Sequence, residues 1–352
     1  MVERKVGGLS NIFWPGDEWE RDIPENQRVN SRELDGAMKY LENICVDDGV
    51  SQAIVIRNGK IIWEGDRIDF AHNVWSCTKS FTSTVLGLLI DDGKCSLNTP
   101  AHKYAPFLAE RYNSVTLRHF TTMTSGYNAV GRTYDEDGSL TPFVPDEPVF
   151  PPGSKFMYWD DAMNAFGYVL TALCGGSVKE YFKTRIADRI GMVNWEWRIF
   201  EQAGEIPING TAGNHDAGIH ISAEELARLG LLFLRRGYWR ETQLISHDWI
   251  NMATTVQVGN SYESVVYPGR PYLVGGGVYG FNWWVNGVCR DGNRLWPNAP
   301  VSTYCALGHR NNILIIIPEW DMVVVRLGLD EIMQPLQEYT GFFEHMQKAI
   351  AV

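Results

Sequence analysis

Short β-rich runs gather toward the two ends of the chain, and helical spacing fills much of the remainder. In QAIVIRNGKIIWEGD, residues 52–66, two such runs flank Asn58-Gly59, a pair that supplies the positive φ angles of a tight hairpin turn. Later, FNWWVNGV, TYCALG, NNILIIIP and DMVVVRL are strand-like runs separated by Gly, Asn, Pro and Asp, followed by a helix-like tail from about Ile332 to Ile350. Between the ends, DDAMNAFGYVLTAL and VKEYFKTRIADRIG are the clearest helices of a loop-rich middle. The pattern predicts an α+β fold: one antiparallel sheet of about five strands, flanked by helices, with an inserted all-helical region. Residues 1–94 and 206–352 form the sheet region and 95–205 the helical one. Ser222 opens SAEELARLGLLFLRRG, where Glu225 completes a capping box and Gly237 offers the stop. The acidic, proline-rich stretch from Tyr134 to Gly153 reads as a long surface loop.

One segment breaks its own pattern. HNVWSCTKSFTSTVLGLLI, His72 to Ile90, holds a single formally charged side chain, Lys79, three residues after Ser76. A helix from near Ser76 puts the two side by side. Phe81, Val85, Leu86, Leu88, Leu89 and Ile90 cover more than one face of that helix, so most of it is buried. Burial disfavours an ammonium ion, which makes Lys79 a base for the Ser76 hydroxyl. A helix N-terminus favours the negative charge that develops in acyl transfer. The alternative is a lysine that snorkels to water from an ordinary helix end.

Composition narrows the classes. The chain has 352 residues, 45% of them hydrophobic and 21% charged, the profile of a folded protein of one large or two smaller domains. A formal charge of −11 and a pI near 5.2 set the field against nucleic acid and anionic membranes. MVERKVGGLSNIFWPGDEWE lacks an apolar leader and no long uncharged apolar run follows, so the expected location is cytoplasmic, or periplasmic or secreted if a leader has been removed. The six cysteines, Cys45, Cys77, Cys95, Cys174, Cys289 and Cys305, form no CxxC pair and read as free thiols.

Two further segments offer partners for Ser76 and Lys79. In PPGSKFMYWDD, Tyr158 precedes a helix, and its phenol either relays a proton or is a core residue. In TYCALGHRNNILIIIP, a strand ends at Gly308-His309, and a glycine at a strand edge lets backbone N–H groups approach an oxyanion.

With these segments in order, the chain resembles the serine β-lactamase and penicillin-binding-protein superfamily. The similarity is to its class C-like branch of esterases, D-amino-acid peptidases and amide hydrolases of the 6-aminohexanoate-dimer-hydrolase type. VWSCTKSF resembles the SxxK block, LRHFTTMTSGY the segment ending in MTSG, and PPGSKFMYWD the PG-x-x-F-x-Y-x-N block. GIHISAEELARLGLLFLRRGYW, YGFNWWV and ALGHRNNILIIIPEWDMVVVRLG follow in the family's order, over about Val50 to Leu329. The resemblance implies a site in a cleft between the sheet and the helical region. It makes Ser76 the acylated nucleophile, Lys79 its base, Tyr158 the proton relay, and the N–H groups of Ser76 and His309 the oxyanion hole. It implies no metal or organic cofactor.

Two positions depart from the family. Asp160 stands where an amide is usual. Beside Lys79 its carboxylate favours the charged amine; otherwise it holds a substrate ammonium, or turns away while Asp161 takes its place. Gly308-His309-Arg310 replaces Lys-Thr-Gly, leaving Arg310 as the remaining cation for a substrate carboxylate and His309 as a ligand contact. The expected function is a serine hydrolase acting on small-molecule esters or amides through an acyl-enzyme. A β-lactamase or D,D-peptidase is the enzymatic alternative, and a silent ligand-binding or sensor protein the alternative of another class. His215, Asp216 and His220 lie close in sequence, but no further ligand block accompanies them, so no metal is expected. The oligomeric state stays open.

Overall fold

The computed structural model describes residues 13–131, 139, 141–203, 206–266 and 273–350. The chain first forms helix α1 (Ser31–Ile44), strands β1 (Gln52–Arg57) and β2 (Lys60–Glu64), the short strand β3 (His72–Asn73) and helix α2 (Thr78–Asp91). Helix α3 (Asp160–Cys174), strands β4 (Trp195–Ala203), β5 (Ile206–Asn209) and β6 (Gly218–Ile221), and helices α4 (Ala223–Leu234) and α5 (His247–Ala253) follow. Strands β7 (Trp284–Val285), β8 (Tyr304–Gly308), β9 (Asn312–Ile317) and β10 (Met322–Leu327) and helix α6 (Thr340–Ile350) complete the course.

The main sheet is antiparallel, with six strands in the order β2-β1-β10-β9-β8-β7. The hairpin between β1 and β2 turns at Asn58 and Gly59, whose φ angles are +51° and +82°, as expected. Strands β9 and β10 are buried along their whole length, which explains runs as apolar as ILIII and MVVV. Helix α4 packs on one face so closely that a Cβ at Gly230 would lie 2.6 Å from Val323. Helices α1 and α6 pack against each other on the same molecule's flank.

Three expectations need correction. The run FNWWVNGV contributes only Trp284 and Val285 to the sheet, because the chain turns at Asn282, whose φ is +58° and whose amide is tied to Thr121. The region 95–205 is not all helical, since β4 occupies its end and joins a second sheet ordered β3-β6-β4-β5. Alternation marks that strand: Trp197 is buried while Glu196 and Arg198 are exposed. Ser222 does precede α4, but its hydroxyl makes no hydrogen bond among the described residues. Glu225 is buried beside Arg228 instead of closing a capping box.

Helix α2 runs between the main sheet and α3, buried from Thr78 to Leu89. At Gly87 a Cβ would strike the Trp249 indole at 2.3 Å, so close packing against α5 requires glycine there.

Candidate active site

Ser76 lies in a 3₁₀ turn, Trp75–Cys77, that leads into α2. Trp75 has a φ of +44°, a conformation that costs a non-glycine residue about 1–3 kcal/mol and persists only when its surroundings enforce it. Here they do. The Asn73 side-chain oxygen accepts the Trp75 N–H at 2.8 Å, and the Asn73 amide donates to the Gly213 carbonyl at 3.4 Å. Gly213, with φ +87°, lies so near that a Cβ would be 2.0 Å from the Trp75 carbonyl oxygen.

Lys79 follows one turn later, on the same face, and is 1% exposed. Its Nζ has three close neighbours: Ser76 Oγ at 2.6 Å, Asp160 Oδ1 at 2.7 Å and the Ala212 carbonyl oxygen at 2.8 Å. It does not snorkel. A carboxylate and a carbonyl only accept, so they take two N–H bonds of the amine. Nζ also faces Ser76 Oγ, to which an ammonium donates an N–H and a neutral amine offers its lone pair.

Asp160, the first residue of α3, is turned toward Lys79, whereas Asp161 accepts the Ser139 N–H at 2.7 Å. The carboxylate foreseen as one possible holder of a substrate ammonium is thus already paired. Tyr158 lies beside the lysine, with Nζ 4.8 Å from its ring centroid. The ring stacks on Trp284 at 5.6 Å and meets Tyr279 edge-on at 6.1 Å. Tyr279 is fully buried, and that burial pushes its phenol well above the ordinary tyrosine range.

The strand edge arrives from the opposite side. A Cβ at Gly308 would be 2.1 Å from the Val74 carbonyl oxygen and 3.2 Å from Cys77 Sγ, so only glycine lets β8 end against the Ser76 turn. His309 follows at once, its ring 6.0 Å from Trp75. Cys77 points away from the cleft and donates to the Asn312 carbonyl at 3.4 Å, and burial pushes its thiol well above the usual range. Arg310 turns back: its guanidinium donates to the Leu329 carbonyl at 2.9 Å and lies 5.4 Å from the Trp75 ring.

Sequence reasoning did not single out Ala212, whose contribution is a backbone carbonyl and leaves no side-chain signal. Nor did it find the asparagines that hold the 211–214 segment. Asn164 donates to Asn214 Oδ1 at 2.9 Å and accepts the Ala212 N–H at 3.4 Å. The His215–His220 stretch holds no metal cluster among the described residues. His220 instead contacts Asp216 at 3.3 Å, and burial lowers its basicity.

An antiparallel sheet, a flanking helical layer and the Ser76 turn between them define the class of fold shared by serine β-lactamases and penicillin-binding proteins. The chain belongs to the beta-lactamase family, whose model matches residues 47–328, a family of hydrolytic serine enzymes. It is 23% identical over 294 residues to the 6-aminohexanoate-dimer hydrolase of Paenarthrobacter ureafaciens, covering 73% of this chain and 70% of that one. Among solved structures it is similar to a putative beta-lactamase from Bacteroides dorei, with a TM-score of 0.69 at 17% identity, covering 92% of this chain and 99% of that one, and to EstCE1, a hydrolase with promiscuous acyltransferase activity, with a TM-score of 0.66 at 17% identity, covering 89% and 99%. The octameric penicillin-binding protein homologue of Pyrococcus abyssi gives a TM-score of 0.63 at 20% identity, covering 88% and 76%. No helix among the described residues is long and apolar enough to cross a membrane.

Proposed function

We propose that the protein hydrolyses esters or amides of small acyl groups through a covalent acyl-enzyme on Ser76. The observation that carries this reading is the placement of Lys79 Nζ, 2.6 Å from Ser76 Oγ and buried between two acceptor-only groups. As Ser76 Oγ attacks the carbonyl carbon, its proton passes to Lys79 Nζ. The carbonyl π electrons move to oxygen, and the N–H groups of Ser76 and His309 stabilise that charge. Tyr158, beside Lys79, hands its proton to the leaving oxygen or nitrogen as the bond to carbon breaks and takes in its place the proton that Lys79 received from Ser76. Water then attacks the acyl carbon and regenerates the Ser76 hydroxyl.

Asp160 weighs on the substrate class. Its charge is matched by Lys79, so neutral acyl esters are expected to react with higher kcat/KM than amine-bearing counterparts. Arg310 is engaged at Leu329, which favours an esterase or amidase over an enzyme that grips a β-lactam carboxylate. The test is intact-protein mass after exposure to a fluorophosphonate. One adduct on wild type, absent in Ser76→Ala and Lys79→Ala, supports the reading. No adduct on folded wild type favours a ligand-binding protein, and rapid turnover of a chromogenic cephalosporin favours a β-lactamase.

A further inference from the structure

A cavity of about 1060 Å³ lies away from Ser76, which is not among its lining residues. It lies across β7 from the cleft. Trp284 stacks on Tyr158, while the next residue, Val285, lines the cavity, as alternation along a strand requires. Phe233, Ile250 and Val288 give it apolar walls, and Arg236 and Arg294 bring two guanidinium groups to it.

The walls are held open. Asn286, 1% exposed, donates to the carbonyls of Trp296, Ala299 and Pro300 at 3.0–3.1 Å and accepts the Trp296 N–H at 2.8 Å. Arg294 donates to the Asn286 carbonyl at 2.7 Å. Gly277 and Gly287 line the cavity in mutual contact, and a Cβ at Gly287 would fall 1.9 Å from the Gly277 carbonyl oxygen. Tyr304 lines the same space, 3% exposed, and its phenol takes part in no hydrogen bond with the described residues. The hydroxyl is not among the side-chain oxygens sealed from solvent without a partner, so water or a ligand in the cavity can meet it. Glu319, which accepts from Ser302, sets one carboxylate against the two arginines of the lining, so the cavity's formal charge is positive.

We propose that this cavity binds an organic monoanion with an apolar body, its anionic head at Arg236 and Arg294, an acceptor atom at the Tyr304 hydroxyl, and its body against Phe233 and Ile250. Size, apolar lining and a few convergent polar groups are the ordinary attributes of a small-molecule site. The charge is specific to it in a chain of formal charge −11.

The test uses octanoate as the probe, with octylamine as the charge-reversed control, followed by calorimetry on the full chain. A carboxylate could also enter the cleft, so the measurement is repeated after Ser76 is blocked with a fluorophosphonate and on Ser76→Ala. Octanoate should bind all three proteins alike, and octylamine at least tenfold more weakly. Arg236→Gln should weaken octanoate by about tenfold, the worth of one charge-assisted contact, and Tyr304→Phe by a smaller factor, with both melting curves near wild type. Binding that disappears when Ser76 is blocked, or that Arg236→Gln and Tyr304→Phe both leave unchanged, overturns the proposal. So does equal affinity for octylamine.

Discussion

Two of the buried cation–carboxylate pairs among the described residues are built for opposite ends. Lys79 and Asp160 meet at 2.7 Å in the cleft, with side chains 1% and 14% exposed. Arg326 and Asp330 meet at 2.7 Å below the sheet, both fully buried. In the second pair every direction is taken. Arg326 donates to the carbonyls of Gly49, Arg310 and Asn311, and Asp330 accepts from Asn311 and the Asp48 N–H. A guanidinium does not release its proton in a protein, whereas a buried amine can. Under the proposed mechanism the cleft pair couples to a reaction, whereas the other pair fixes a shape.

The widest separation between them is expected from removing one member of each. Lys79→Met should lower kcat/KM by about a thousandfold or more, in the range of losing a catalytic base, with little change in urea midpoint. Asp330→Asn should do the reverse: stability falls by about 3–5 kcal/mol, because a buried guanidinium loses its counter-charge, while the surviving folded enzyme still forms the Ser76 adduct. If Lys79→Met unfolds the protein as readily as Asp330→Asn, the contrast fails.

Acid sharpens it. Burial alone would raise Asp330, but the Arg326 guanidinium and the Asn311 amide outweigh it and hold its carboxyl below the usual range. A depressed folded value means stability that is present above the unfolded carboxylate pKa of about 4 and lost as pH falls through the folded value. Urea curves of wild type and Asp330→Asn should therefore start to converge as pH falls below about 4 and meet only below the depressed folded value. In the cleft, Asp160→Asn removes a negative charge beside Lys79 and makes the neutral amine easier to reach. The acidic limb of the kcat/KM profile should move to lower pH; a limb that stays put means Asp160 does not govern the base.

The two regions also differed in how far the sequence announced them. That Ser76, Lys79 and Tyr158 would lie together was legible from several blocks in the family's order, since no single block was specific enough. The Asn58-Gly59 hairpin and the apolar strands were legible because backbone φ and burial restrict their residues. Arg326 was not, since one arginine at the end of MVVVRL looks like any strand exit toward water. Its burial depends on carbonyls at positions 49, 310 and 311, which meet only after β1, β9 and β10 pair. The Ala212 carbonyl is silent in sequence for the same reason. Asp160 was legible as a departure, but its orientation toward Lys79 rather than a substrate needed the start of α3 to be placed against α2.

The smallest of these effects is expected from Arg326→Lys, which joins the two regions. The turn after β8 carries His309, and its next residues, Arg310 and Asn311, have φ angles of +62° and +60°. Left-handed backbone at consecutive non-glycine residues must be held from outside. Arg326 reaches both of their carbonyls, and Asn312 reaches the His309 carbonyl at 2.7 Å and the Gly328 carbonyl at 3.0 Å. Lysine keeps the charge opposite Asp330 but loses the planar fork, so it cannot hold two carbonyls and a carboxylate together. Stability should drop by about 1–2 kcal/mol, less than for Asp330→Asn, since the ion pair survives and only hydrogen bonds are lost. If the turn positions an oxyanion donor at His309, kcat should also fall severalfold with KM nearly unchanged, because a displaced donor is felt in the transition state more than in the ground state. A stability loss with kcat intact would confine Arg326 to the scaffold and leave the placing of His309 to other contacts, Asn312 and Gly308 among them.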